Sequence, residues 1–102
     1  MRILNAMIVA ASLTIAASPA LAGDADAGKT TFDTKGCAGC HGAGGAAPTE
    51  GNPKLAGNDA ATIKKALTDF KSGARSNPVM NGMAAMLNDA EIDNVAAYIG
   101  AQ

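Results

Sequence analysis

The chain has 102 residues, room for one domain at most, and a formal charge of −1. It has no cluster of Lys and Arg of the kind that marks a nucleic-acid binder, so that class finds no support. The aromatic side chains are Phe32, Phe70 and Tyr98, with no Trp, which leaves little bulky apolar volume to fill a core.

Residues 1–22, MRILNAMIVAASLTIAASPALA, combine a basic start at Arg2, an apolar run over 6–17, the helix breaker Pro19 and a small-residue Ala-Leu-Ala end. That is the pattern of a secretory signal peptide cleaved after Ala22. Read as a membrane anchor, the apolar run falls short of the ~20 residues a spanning helix needs, so no stable membrane insertion is expected. The expected mature domain, residues 23–102, keeps seven of the eight basic residues and all nine acidic ones, a formal charge of −2. Export implies the periplasm, an oxidising compartment that changes what a cysteine pair can mean. A domain of about 80 residues is marginal and commonly recruits a disulfide, a metal or another staple.

Three stretches have helical signals and none alternates like a strand. The first covers about 24–35: Asp24 and Asp26 suit a helix start, Ala25, Gly28 and Phe32 lie near one face, and Gly36 stops it. Residues 37–57 follow as an irregular segment rich in Gly and Pro, opening on Cys37-Ala38-Gly39-Cys40-His41. The second helix begins at Asn58 or Asp59, buries Ile63, Ala66, Leu67 and Phe70 as one stripe, and closes at Gly73. A second irregular segment, 73–87, carries Met80, Met83 and Met86. The third helix covers about 89–100, with Asn88 and Glu91 at capping-box spacing and Leu87 and Ile92 placed as a hydrophobic staple. Its buried stripe is Ile92, Val95, Ala96 and Ile99, with Tyr98 on the flank. Loops as long as these two need a reason in so small a chain.

Four uses of Cys37-Ala38-Gly39-Cys40-His41 compete. A structural zinc site wants four Cys or His ligands, yet there is no second pair and His41 is the sole histidine. A thioredoxin-like dithiol belongs beside a βαβ pattern, which the sequence lacks. A disulfide suits an exported protein but leaves His41 and the thin core unexplained. The fourth is covalent attachment of a c-type haem, the use that C-x-x-C-H spacing serves. Two thiols on one helical turn can add to the vinyl groups along one porphyrin edge, and the adjacent histidine is then held beneath the iron. Ala38, Gly39 and Gly42 let the backbone come close to the ring. With the signal peptide and the undersized core, this fourth use accounts for most.

At this point the mature chain resembles the class I cytochromes c, especially the small single-haem proteins of the bacterial periplasm and one half of their two-haem relatives. The residues that carry it are Gly28 and Phe32, the Cys37–His41 motif, and Asn52-Pro53-Lys54-Leu55-Ala56-Gly57. Further on come Asp69-Phe70-Lys71-Ser72-Gly73-Ala74-Arg75, Val79-Met80-Asn81-Gly82-Met83 and Asp93-Asn94-Val95-Ala96-Ala97-Tyr98. The resemblance implies an all-α fold, three main helices and long loops around one covalently bound haem c, with first and last helices crossing near Gly28 and Tyr98.

Electron-transfer haems with one histidine ligand are completed by Met or His, and with no second histidine here Met is favoured. Met80 follows Pro78 in a stretch expected to be extended and helix-free, able to lie across a haem face, whereas Met86 adjoins the staple residue Leu87. The resemblance also selects Met80, since the family's ligand stands seven residues before the Leu that precedes the last helix. It further implies that Pro53 offers its carbonyl to the ring nitrogen of His41 that does not bind iron. Leu55, Ile63, Leu67 and Phe70 are candidates for the pocket wall, although core packing explains them equally well. Arg75 and Lys54 are candidate partners for the haem propionates, against a default of solvated surface cations.

With His41 and Met80 on the iron no position remains for a substrate, so the expected function is one-electron transfer by a monomeric periplasmic carrier, not an enzyme. Its partners would be transient redox proteins, by family analogy a quinol-oxidising complex, an oxidase or a dehydrogenase. The alternatives are a haem subunit of a larger oxidoreductase and a gas- or peroxide-binding protein with a labile Met.

Overall fold

The computed structural model describes residues 23–102; the expected signal peptide lies outside the described residues. Among the described residues five α-helices follow in order, α1 (Ala25–Thr34), α2 (Cys37–His41), α3 (Ala60–Ser72), α4 (Pro78–Ala85) and α5 (Asp89–Gly100), with a short 3-10 turn at Ala43–Gly45. No strand occurs among the described residues.

Each long helix starts where a short polar side chain can satisfy the first free amides. Asp24 accepts from the amides of Asp26 and Ala27 at 2.9 and 3.1 Å, and Asp59 accepts from Thr62 at 2.8 Å. Asn88 and Glu91 form the reciprocal capping box, at 2.8 and 3.0 Å. Gly73 ends α3 in the left-handed conformation, φ 87°.

Helix α5 is the central element, packed against both α1 and α3, and α4 lies against α3. The α1–α5 crossing depends on Gly28: a Cβ there would stand 1.9 Å from the Asn94 carbonyl oxygen and 2.9 Å from the Tyr98 Cβ. Beside it the Phe32 and Tyr98 rings meet edge-on, centroids 5.6 Å apart. Phe32, Ile63, Leu67, Leu87, Ile92, Val95, Ala96 and Ile99 make up the core, so both members of the expected staple are inside it. Burying an aliphatic side chain of this kind stabilises by about 1.5–3 kcal/mol. Cys37, Ala38, Leu55, Met80 and Tyr98 pack on this core while remaining partly exposed.

Two expectations need correction. Neither long segment is irregular throughout: 37–57 opens with α2, and 73–87 contains α4. Met80 therefore sits in the first turn of a helix, not in an extended stretch. The cause is the Asn77-Pro78 pair. Asn77 Oδ1 accepts from the amides of Val79 and Met80, both at 3.0 Å, and Pro78 at the first helical position has no N–H to leave unpaired.

Candidate functional site

Gly36, at φ 85°, turns the chain out of α1, and one helical turn then carries Cys37, Cys40 and His41. Both thiols are free, Cys37 half-buried and Cys40 exposed. Among the described residues no three His, Cys, Asp or Glu side chains converge as a metal cluster.

His41 is 6% exposed, a buried polar side chain beside an apolar core. Its Nδ1 lies 2.9 Å from the carbonyl oxygen of Pro53. A carbonyl can only accept, so Nδ1 carries the proton and Nε2 carries the lone pair. Nε2 has no hydrogen-bond partner among the described residues.

The loop that brings Pro53 back is closed by backbone bonds. Thr49 N–H donates to the Cys40 carbonyl at 2.9 Å, and Leu55 and Ala56 donate to the Gly45 carbonyl at 2.9 and 3.1 Å. Gly45 has φ 73°, and a Cβ there would stand 2.7 Å from that of Leu55, so this return needs glycine.

The three methionines differ in place. Met80 packs on the core together with Cys37, Ala38 and Leu55; Met83 is half-buried; Met86, at the end of α4, is 50% exposed. Of the pocket-wall candidates, Ile63 and Leu67 are core, while Leu55 and Phe70 are half-buried. Arg75 holds its guanidinium 4.7 Å from the centre of the Phe70 ring, a cation–π contact, and Lys54 is exposed. The residue that spacing alone does not single out is Asn81, whose side chain ties the α3–α4 loop together.

This donor set fits a c-type haem: two free thiols on one turn, and beside them a buried imidazole with an unpartnered, lone-pair nitrogen. A redox dithiol would leave that nitrogen unused, and a zinc site finds no metal-holding cluster among the described residues.

Comparison with known proteins points the same way. The family model described as Cytochrome c matches residues 25–102. A protein of Stutzerimonas stutzeri named thiosulfate dehydrogenase electron acceptor is 53% identical over 66 residues, covering 64% of this chain and 31% of that protein. Cytochrome c4 of Pseudomonas aeruginosa is 35% identical over 101 residues, covering 97% of this chain and 49% of that one. The solved structure of cytochrome c4 from Acidithiobacillus ferrooxidans superimposes with a TM-score of 0.71 at 31% identity, over 79% of this chain and 51% of that chain. This chain thus spans about half or less of each of these relatives. It belongs to the cytochrome c family and carries one covalently bound haem c, tethered through Cys37 and Cys40.

Proposed function

We propose that the protein is a periplasmic one-electron carrier whose iron is ligated by His41 and Met80. The haem supplies an iron centre that alternates between ferric and ferrous states. His41 contributes the Nε2 lone pair, and the Pro53 carbonyl, 2.9 Å from Nδ1, fixes the tautomer and strengthens the ligand. Met80 contributes a neutral thioether, which favours the reduced state and raises the potential. The observation that supports Met80 over its rivals is packing: it lies against the hydrophobic core, Met83 is half-buried but not among the residues packed on that core, and Met86 is half exposed at the end of α4.

With His41 and Met80 both holding the iron, no position would remain for a substrate, which supports a carrier over an enzyme. Turnover then requires brief encounters through small, weak interfaces. Among the partner classes a dehydrogenase has specific support, since a relative is named as the electron acceptor of thiosulfate dehydrogenase. The periplasmic assignment rests on the signal-peptide pattern of residues 1–22. Among the described residues no helix is long and apolar enough to cross a membrane.

The test is the Met–iron charge-transfer absorbance at the red end of the ferric spectrum. Met80→Ala is expected to abolish it, while Met83→Ala and Met86→Ala keep it. Its survival in Met80→Ala would sink the assignment.

A further inference from the structure

Asn81 follows Met80 directly, and its side chain makes three bonds to backbone groups far apart in the loop. Nδ2 donates to the carbonyl of Phe70 at 2.7 Å, in the last turn of α3, and to that of Arg75 at 2.9 Å, in the connecting loop. Oδ1 accepts from the amide of Asn77 at 2.9 Å, the cap of α4. Both amide hydrogens and the oxygen are engaged, so no residue of similar shape reproduces the set. Asn77 in turn accepts from the amide of Met80 itself at 3.0 Å. A continuous chain of hydrogen bonds therefore connects the end of α3, the loop, the cap and the backbone of Met80. From the other side Arg75 closes over the Phe70 ring. None of these bonds involves α1 or α5, and Asn81 is not a core residue.

We propose that Asn81 is a positioning residue for the sixth iron ligand, locking the α3–α4 loop so that Met80 stays on the iron. The inference rests on the reading of Met80 as that ligand. Asn81→Asp keeps the shape but loses both donors and sets a carboxylate against two carbonyl oxygens. Asn81→Leu loses all three bonds. The bond to the Phe70 carbonyl is part-buried and the other two are exposed; losing all three together is expected to raise the Met-off population of the ferric protein about tenfold. The α1–α5–α3 core should remain.

The experiment uses ferric holoprotein and two readouts. Imidazole must displace Met80 to bind, so its apparent affinity is expected to rise about tenfold in both variants, in proportion to the Met-off fraction. On heating, the charge-transfer absorbance should disappear well before the helical circular dichroism, a gap wider than in wild type. Asp24→Ala, which removes the cap of α1 far from the loop, serves as the stability control: it should lower both transitions together and leave imidazole affinity unchanged. Wild-type imidazole affinity and an unchanged gap in both Asn81 variants would overturn the proposal, as would their failure to fold, since the role is confined to the loop. If Met80→Ala retains the charge-transfer absorbance, the ligand reading itself has failed; if it loses that absorbance and the Asn81 variants match wild type, only the positioning role has.

Discussion

Gly28 fixes how closely the first and last helices approach. With a Cβ 1.9 Å from the Asn94 carbonyl oxygen, Gly28→Ala forces α1 and α5 apart and breaks the Phe32–Tyr98 contact. The expected loss is about 3 kcal/mol of stability, the upper end for overpacking a tight contact. A denaturant midpoint equal to wild type would contradict it. Other residue-level features are less open to inspection. A buried histidine cannot be told from an exposed one by spacing, and the hydrogen bond from His41 to Pro53 spans a loop of 12 residues whose path no local rule sets. The resemblance to a known family supplied that pairing, not periodicity. The bonding role of Asn81 has no local signal, because its three partners meet only after α3 and α4 have folded back on each other.

At the scale of elements, the three long helices are legible because each carries its own start and stop. The expected spans 24–35, about 59–73 and 89–100 differ from Ala25–Thr34, Ala60–Ser72 and Asp89–Gly100 by two residues at most at either end. Caps and stripes are local chemistry, so they survive into the fold. Helix α4 was obscured for an equally local reason: PVMNGMAA has an interior glycine and no clean apolar stripe, although Asn77-Pro78 is a sound start signal. Helix α2 has one turn and owes its form to its neighbours. The cap of α3 makes a pH prediction. Hydrogen bonds from Thr62 hold the Asp59 carboxyl below its ordinary value. A depressed folded pKa means the carboxylate stabilises α3 above the ordinary carboxylate range, and that contribution disappears as the pH falls through the depressed value. Asn caps equally well but does not titrate. The difference in Tm between wild type and Asp59→Asn should therefore move in favour of the variant as the pH is lowered from neutral. A difference constant with pH would rule the mechanism out.

For the whole molecule, the aromatic-poor sequence has a physical counterpart. The core is a thin aliphatic layer along α5, in which Phe32 and Ile99 are the large side chains fully enclosed. Cys37, Ala38, Leu55 and Met80 line its margin partly exposed, on segments that the long helices alone do not pin. A tethered haem with protein ligands above and below would join α2, the Pro53 loop and α4 into one body, which gives the long loops their purpose. With His41 and Met80 both holding it, the iron would exchange electrons only. Carbon monoxide added to the reduced holoprotein at neutral pH measures this directly. Little or no binding is predicted for the wild type, with ready binding once Met80→Ala opens the site; rapid stoichiometric uptake by the wild type would contradict the claim and favour a gas- or peroxide-binding protein.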